Sequence, residues 1–361
     1  MASEPPRRLA RLTVDLGAIA ANWAAFARRA GQAQAAAVIK ADAYGLGAAR
    51  VAPALAAEGV RTFFVATLGE ALEARAALGD AHVIYVLNGP DESDAHLFAA
   101  ARLFPVLNNA RQISLWIAAG APVAAALHID TGMNRIGLPL ADVGAAKAAL
   151  ARVDVPLVMS HLACSGTPDH PLNALQATRF AEAAAQFPGA RKSLAATAGV
   201  LLGRAYHFDL VRPGVGLYGD NDLDDDNHGL AVAATLDAPI LQVRTLAAGD
   251  SVGYGATFVA QAPINVATIA LGYADGYLRA AAGRGYGVLA GSRCPVVGRV
   301  SMDLITLDVT AAGDAARVGA RVEMLGANVP LKALAAAAGT NPYEILTALS
   351  GVPHAFARSA A

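Results

Sequence analysis

The sequence predicts an α/β protein, a (β/α)8 TIM barrel followed by a mostly antiparallel β domain. Between residues 37 and about 215, short apolar runs alternate with segments of helical periodicity, as in a chain of βα units. After a polar stretch at 220–228, helical periodicity mostly stops and short strand-like runs are separated by Gly and Pro turns. We therefore predict a barrel over residues 1–230 and a β domain over residues 231–361.

Eight runs in the first part have strand character, and helical periodicity between them is clearest at 69–78, 109–119 and 171–187. Eight strands with helical crossovers favour a closed barrel, while an open doubly wound sheet is the structural alternative. The strand-like residues 9–16 precede the pattern and have no assigned place. The eight runs are 37–40, 61–67, 82–87, 103–107, 123–130, 156–162, 192–197 and 207–213.

The second part reads as strands at ILQVRTL, INVATIALGY, YGVLAG, CPVVGRV, LITLDV and RVEML. A short helix is predicted near the end, where Asn341 is a suitable cap, Pro342 suits the first helical position and Glu344 follows three residues after the cap. The acidic stretch 220–228 is predicted to be a solvated connecting loop rather than a binding site.

Composition excludes several classes of protein. The chain has 361 residues and is 55% apolar, much of it Ala, yet no apolar run is long enough for a transmembrane helix, so no membrane partner is expected. Asp15 and Asn22 interrupt the apolar core that a secretory signal would need, and two cysteines, Cys164 and Cys294, give no disulfide framework. We expect a cytoplasmic protein. A net charge of −1 gives no reason to expect a nucleic-acid partner, and no metal site is predicted.

Lys40 is the first candidate for chemistry. In AVIKADAYGLG an apolar run ends on this lysine, and a polar turn containing Tyr44 and two glycines follows. The carboxyl ends of barrel strands form the catalytic face, where a desolvated lysine can form a Schiff base with an aldehyde cofactor. The alternative is a surface lysine just past a strand.

Two arginines also follow predicted strands. Arg135 projects from the tight turn in DTGMNRIG, where it could bind a carboxylate through two parallel hydrogen bonds or simply form a loop salt bridge. Arg212 ends the eighth run in VRPGVGLYG, and the backbone amides around Gly214 and Val215 could bind a phosphate where a short helix begins. The alternative for this last segment is an ordinary Pro/Gly turn.

Three segments of the β domain place polar or reactive side chains in glycine-flanked turns. They are SVGYGATF with Tyr254, LGYADGYLR with Tyr273, and VGRVSMD with Met302 and Asp303. Each residue taken singly is better explained by a turn or a core position than by a functional site.

Together and in this order, these segments and the PYE near the C-terminus resemble the sequence blocks of the alanine racemases, from about residue 10 to 350. The resemblance implies an amino-acid racemase that uses pyridoxal 5'-phosphate (PLP) to interconvert L- and D-alanine, the latter for the bacterial cell wall. It also implies a homodimer with active sites shared between subunits and a small-molecule amino-acid substrate.

The resemblance implies a role for each matching residue. Lys40 would carry PLP and act as one catalytic base, and Tyr254 of a second subunit would be the other base on the opposite face of the substrate. Arg212 would face the pyridine nitrogen, and because it stays protonated, return of the proton would be favoured over transamination. The remaining cofactor contacts implied are Tyr44, His161, Thr197, Gly214, Val215 and Tyr343; the substrate contacts are Arg135, Met302 and Tyr273; the supporting residues are Asp303 and Arg279.

Four positions depart from the family pattern. His128 stands where many members have a lysine that becomes carbamylated, and an imidazole cannot form that stable anion. Ser301 replaces a frequent cysteine and Ala196 an asparagine, and SGVPHAF lacks the usual arginines. These departures affect pocket details and substrate range rather than Lys40 or Tyr254.

Two other functions are considered. A related PLP barrel could act on another amino acid, as a serine or broad-spectrum racemase or a decarboxylase; the tyrosine turn around Tyr254 favours a racemase over a decarboxylase. A noncatalytic PLP-binding homeostasis protein would need only the barrel, so the β domain argues against it.

Overall fold

The computed structural model describes residues 9–223 and 229–358. These residues divide into two compact units. The barrel unit comprises the described residues of Ile19–Ala43 and Ala48–Ala231. The β unit comprises the described residues up to Ala18, the short segment Tyr44–Gly47, and those from Val232 onward.

The α-helices alternate with strands along the chain, as the sequence pattern predicts. They are α1 (Leu16–Ala30), α2 (Lys40–Gly45), α3 (Ala48–Ala57), α4 (Leu68–Leu78), α5 (Ala95–Ala100), α6 (Ala110–Ala118), α7 (Val143–Ala149), α8 (Pro171–Ala184), α9 (Thr197–Leu201), α10 (Leu331–Ala338) and α11 (Pro342–Ala348).

The strands up to residue 211 are β1 (Arg11–Asp15), β2 (Gln34–Ala35), β3 (Ala37–Val38), β4 (Thr62–Val65), β5 (Val83–Val86), β6 (Phe104–Leu107), β7 (Ala126–Asp130), β8 (Leu138–Pro139), β9 (Leu157–Met159), β10 (Arg191–Ser193) and β11 (Leu210–Val211). The later strands are β12 (Ala234–Leu246), β13 (Ser251–Val252), β14 (Phe258–Val259), β15 (Ile264–Ile269), β16 (Tyr286–Leu289), β17 (Ser292–Pro295), β18 (Ile305–Asp308), β19 (Arg321–Leu325) and β20 (His354–Ala357).

The barrel unit contains the predicted parallel sheet. Strands β3, β4, β5, β6, β7, β9 and β10 are neighbours in that order, and β11 pairs in parallel with β2. Backbone hydrogen bonds from Arg212 N to Ala195 O (2.9 Å) and from Val38 N to Pro213 O (3.0 Å) join the two ends through β11. Every residue of β4 is buried, and Phe63, Phe64 and Val65 form an apolar run, as expected for a parallel sheet covered on both faces. The predicted β/α barrel is confirmed.

Local signals explain where several helices begin. Thr67 and Glu70 form a capping box at the start of α4, each satisfying a free backbone N–H of the first turn. The Asn341 side chain accepts from Glu344 N (3.0 Å) and Pro342 follows it, so the cap predicted for α11 is confirmed.

The β unit is mostly antiparallel, as predicted. β12 pairs antiparallel with β1, β15 and β19, and β15 pairs antiparallel with β18. The unplaced residues 9–16 contain β1, which pairs antiparallel with β12 and parallel with β20. This strand therefore lies in the β unit rather than in the barrel. The boundary between residues 230 and 231 stays a prediction.

Two sequence interpretations need correction. The predicted strand CPVVGRV is a strand only at its start, because β17 ends at Pro295. The solvated-loop prediction is wrong for Asp220 and Asn221, which are 2% and 1% exposed. Their side chains accept from the backbone N–H groups of residues 222 and 223, so local turns satisfy both polar groups inside the protein. Residues 224–228 of that loop lie outside the described residues.

Two predicted properties can be compared directly with the described residues. No helix among them combines the length and apolar character that crossing a membrane requires. Cys164 and Cys294 are both free thiols, the first partly buried and the second buried.

Candidate active site

Lys40 lies two residues after the last residue of β3, at the carboxyl end of a barrel strand as predicted. Its side chain is half-buried. Burial lowers the pKa of Lys40, and the nearby positive charge of Arg135 lowers it further, while Glu70 acts in the opposite direction. The structure thus gives this amine an environment that favours its neutral, nucleophilic form.

The turn after Lys40 is left-handed. Residues Ala41, Asp42, Ala43 and Tyr44 have φ values of 52°, 53°, 54° and 58°. This conformation costs non-glycine residues about 1–2 kcal/mol each, so the surroundings must stabilise it.

Carboxylates provide part of that stabilisation. Glu70 accepts from Ala41 N (2.9 Å) with one oxygen and from Ala66 N (2.7 Å) with the other. Asp42 accepts from Ala48 N (2.6 Å). Sequence reasoning missed Glu70 as a supporting residue, although the capping-box spacing from Thr67 could have pointed to it.

Arg212 is buried at the end of β11 and held by oxygen atoms. It is 3% exposed, its Nη2 donates to Ser160 O (2.6 Å), and its Nη1 donates to the Ser193 hydroxyl. Its guanidinium carbon lies 5.9 Å from the centre of the Phe64 ring. Burial lowers the pKa of Arg212 to about 9, so the group remains a cation near neutral pH. Nε donates to no residue in the part of the chain that the structure describes.

The positive charges of Arg212 and Arg135 act on two histidines, His161 and His128. Burial lowers the pKa of His161 well below its usual range, and the charges of Arg212 and Arg135 act in the same direction. His128 is 7% exposed, and burial together with Arg212 lowers its pKa to about 4. The barrel unit thus brings Lys40, Arg135, His161 and Arg212 into one electrostatic cluster and adds His128 to it.

The predicted phosphate segment forms a tight backbone turn. The Thr197 hydroxyl accepts from Gly214 N (3.0 Å) and Gly216 N (3.1 Å), which leaves its own hydrogen available to donate. A side chain at Gly216 would collide with the Phe26 ring. The Gly214 N–H donates to the Thr197 hydroxyl, and this contact differs from the direct phosphate contact predicted for Gly214. Val215 begins a 3-10 turn, and its N–H has no acceptor among residues 9–223 and 229–358.

The β unit brings some of its predicted residues together. Tyr273 N donates to Ser301 O (3.0 Å) and Ala274 N to Met302 O (2.9 Å), so the turns carrying Tyr273, Met302 and Asp303 are joined. Met302 is 55% exposed, and Asp303 and Arg279 are also exposed.

A second pair in the β unit is formed by tyrosines. The rings of Tyr44 and Tyr343 have centroids 5.9 Å apart at an angle of 40°. Tyr44 is buried and Tyr343 is half-buried. The two residues predicted to contact a cofactor therefore lie side by side.

Tyr254 lies in a different setting. It begins a 3-10 turn between Gly253 (φ 71°) and Gly255 (φ 73°), backbone conformations that glycine adopts without strain. Its side chain is 73% exposed. The structure thus presents this phenol at the surface of its own chain.

Comparison with known proteins extends these observations. Residues 14–222 match the family model described as alanine racemase, N-terminal domain, and residues 233–355 match alanine racemase, C-terminal domain. The chain is 48% identical over 352 residues to the alanine racemase of Rhodospirillum rubrum, covering 95% of this chain and 94% of the relative. It is 43% identical over 357 residues to the biosynthetic alanine racemase of Agrobacterium fabrum, covering 94% and 91%.

Solved structures agree with the sequence relatives. The alanine racemase of Bartonella henselae with covalently bound pyridoxal phosphate has a TM-score of 0.92 at 34% identity, covering 97% of this chain and 99% of that one. The biosynthetic alanine racemase of Pseudomonas aeruginosa has a TM-score of 0.90 at 38% identity, covering 97% and 100%. The chain therefore belongs to the alanine racemase family.

Proposed function

We propose that this protein interconverts L- and D-alanine with PLP as its cofactor and supplies D-alanine for the bacterial cell wall. The observation that carries the proposal is the half-buried Lys40 at a barrel strand end, next to Arg135, in a chain of this family. A lysine with a lowered pKa can both bond to an aldehyde and exchange a proton near neutral pH.

The residues present fit PLP. Lys40 supplies an amine for the aldehyde, and the Thr197 hydroxyl and Val215 N–H supply donors for the phosphate. Arg212, with Nε unengaged in the described chain, supplies a donor for the ring nitrogen. Gly214 supports the phosphate group through Thr197, and Tyr44, His161 and Tyr343 complete the proposed cofactor set. When bound, PLP withdraws electrons from the substrate Cα and makes its proton acidic.

Two bases on opposite faces of the substrate account for racemisation. Lys40 removes or returns the Cα proton on one face, and Tyr254 does so on the other. Because the Tyr254 side chain is 73% exposed on its own chain, we propose that it acts in the site of a second copy, which requires a homodimer. Arg212 stays protonated and donates a hydrogen bond to the ring nitrogen, so the ring nitrogen is not protonated as well. This favours return of the proton to Cα.

The substrate carboxylate needs a cation and a donor. We assign these to the Arg135 guanidinium and the Met302 backbone N–H, with Tyr273 lining the pocket and Asp303 and Arg279 supporting it. A barrel domain that ends near residue 230, a β domain over residues 231–361 that also includes β1, and a cytoplasmic location are part of the same proposal.

A panel of single-enantiomer amino acids, followed by chiral chromatography, tests this function. We expect alanine to be racemised from both enantiomers to the same final ratio, and serine much more slowly. Equal turnover of many amino acids would indicate a broad-spectrum racemase instead. Absence of turnover for every amino acid, with PLP bound, would reject the racemase proposal.

A further inference from the structure

The left-handed turn that begins at Lys40 needs a partner at its other end. Residues 41–45 all have positive φ, from 52° to 82°, although L residues normally adopt this conformation singly and not in succession. The Glu70 carboxylate stabilises the start of the turn by accepting from Ala41 N. The last carbonyl oxygens of a helical turn have no donor within the turn. The end of this turn, at Gly45, therefore depends on a donor from another element.

His354 supplies that donor. Its Nε2 lies 2.8 Å from Gly45 O. Since a carbonyl oxygen only accepts, Nε2 carries the hydrogen in this contact. His354 is the first residue of β20 and pairs in parallel with Leu12 of β1. The donor is thus held by a sheet, which fixes a side chain more firmly than a loop does.

The segment around Gly45 is also packed closely within the β unit. A side-chain carbon added at Gly45 would lie 2.6 Å from Leu346 O in α11, and one added at Gly47 would lie 3.0 Å from a ring carbon of Phe356 in β20. Packing of this kind excludes other atoms but has no preferred direction, whereas a hydrogen bond weakens steeply when its angle changes. The bond from His354 is therefore the contact that specifies where the Gly45 carbonyl points.

The packing of His354 can be separated from its hydrogen bond. Its ring is half-buried and nearly parallel to the Phe356 ring, with the centroids 5.9 Å apart and an angle of 13° between the planes. His354→Phe keeps an aromatic ring in a strand and loses the N–H. His354→Gln loses the ring and keeps an N–H about as far along the side chain as Nε2. The two variants therefore remove the bond and the ring one at a time.

We propose that His354 is a positioning residue for Lys40, because its Nε2–H fixes the end of the left-handed turn that Lys40 begins. The turn is short and bonded internally, with Ala43 N donating to Ile39 O (2.9 Å), so a restraint at Gly45 restricts the lysine through the chain. The role of Lys40 as cofactor lysine and base rests on the proposed function, whereas the restraint of the turn by His354 does not. The two parts are tested by separate measurements.

The first measurement is hydrogen–deuterium exchange of the full chain freed of PLP, followed by mass spectrometry of a peptide spanning residues 40–48. In His354→Phe this peptide should exchange about 2- to 10-fold faster than in the parent, the effect of one lost neutral hydrogen bond. In His354→Gln it should exchange at the parent's rate. Exchange in α6 should be the same in all three proteins, and His96→Phe, at an exposed position, is the control.

This measurement does not depend on racemase activity. Equal exchange of the 40–48 peptide in His354→Phe and in the parent would overturn the proposal whether or not the protein racemises alanine. Faster exchange in His354→Phe that His354→Gln does not reverse would show that the ring, and not the hydrogen bond, stabilises the turn, and would overturn it as well.

The second measurement combines titration of PLP, followed by absorbance, with steady-state kinetics on alanine. His354→Phe should weaken PLP binding and lower kcat, each by about 2- to 10-fold. KM should be nearly unchanged, because the groups proposed to bind the substrate carboxylate are not altered. His354→Gln should restore both values.

The outcomes of this second measurement separate the two proposals. Faster exchange of the turn in His354→Phe, with PLP binding and kcat as in the parent, would show that His354 stabilises the turn without positioning Lys40, and would reject the positioning role. A parent protein that racemises no amino acid would reject the proposed function, while exchange and PLP binding would still decide the role of His354.

Discussion

The two side chains proposed to exchange the substrate proton have very different surroundings. Lys40 is half-buried, and the barrel unit itself provides the charges of Arg135 and Glu70 around it. Tyr254 stands on a glycine-flanked turn with 73% of its side chain exposed. The barrel unit therefore surrounds Lys40 with charged side chains, whereas the β unit leaves the Tyr254 phenol exposed. Whatever surrounds the phenol during catalysis has to be brought to it, as a second copy of the chain would do.

The largest effect is expected at Lys40. Lys40→Ala should abolish racemisation from both L- and D-alanine, because both the cofactor bond and one base are lost. In the parent protein, borohydride reduction with PLP and peptide mapping should find the label on Lys40. Lys147→Ala, at an exposed position in α7, is the control and should stay active. A label on another lysine would contradict the assignment.

At the exposed base the loss should be large but incomplete. Tyr254→Phe should lower racemisation by about 10²- to 10⁴-fold, typical of a missing general acid or base, and leave the absorbance of bound PLP unchanged. Exchange of the Cα proton of L-alanine with deuterated solvent should fall most. Tyr286→Phe in the same unit, whose ring packs on Arg293, should have no such effect. Equal exchange in Tyr254→Phe and parent would exclude a direct role.

Replacing Arg212 should mainly alter the ratio of the two products, pyruvate and racemised alanine. In Arg212→Glu the carboxyl can share a proton with the cofactor's ring nitrogen, so more pyruvate should form per racemisation event than in the parent. Arg212→Lys keeps the cation and should not raise this ratio. Pyruvate assays and chiral chromatography on the same samples measure both products. A PLP-loaded Glu variant with the parent's ratio would show that the electronic argument is wrong.

A smaller effect on stability is expected in the left-handed turn. Ala41→Gly removes a penalty of about 1–2 kcal/mol and adds chain entropy of about 0.5–1 kcal/mol to the unfolded state, so the free energy of unfolding should rise by up to ~1.5 kcal/mol. Ala76→Gly, at an exposed position within α4, should lower it by ~1 kcal/mol. Urea unfolding measures both. Changes of the same sign would contradict the strain argument.

The smallest effect is expected from carbon dioxide. Since His128 has no amine that could form a stable carbamate, activity should be the same in degassed buffer and with added bicarbonate. Carbon-13 NMR with labelled bicarbonate should show no carbamate at this position. The His128→Lys variant supplies the missing amine and tests whether the position accepts the modification. A strong bicarbonate dependence of the parent would mean that another lysine has this role.

The barrel was predictable because its signals are local. Most strands of the barrel lie in short apolar runs, and Lys40 and Arg212 could be assigned to strand ends from the residues around them. Glu70 was missed because its second oxygen contacts a segment far away in the sequence.

Other features depend on contacts that no local pattern contains. Nothing in KADAYG predicts a left-handed turn, since Lys, Ala and Tyr all prefer right-handed conformations. Composition predicts a solvated segment at Asp220 and Asn221 because it describes residues on average, whereas individual turns can satisfy single polar groups inside the protein. The place of residues 9–16 required knowing partners more than two hundred residues away.

That strand has a consequence for synthesis of the protein. In β1, Leu12 pairs with Leu236 on one side and with His354 on the other. At typical rates of translation, roughly 20–70 s pass between the synthesis of β1 and the emergence of its last partner, β20, from the ribosome. During that time its backbone edge is open to other chains, while the barrel residues between can already fold. Nascent-chain aggregation should therefore depend on β1 and fall when Thr13, whose backbone pairs with Thr235 and Ala355, is replaced by proline, although the finished β unit would then lose stability.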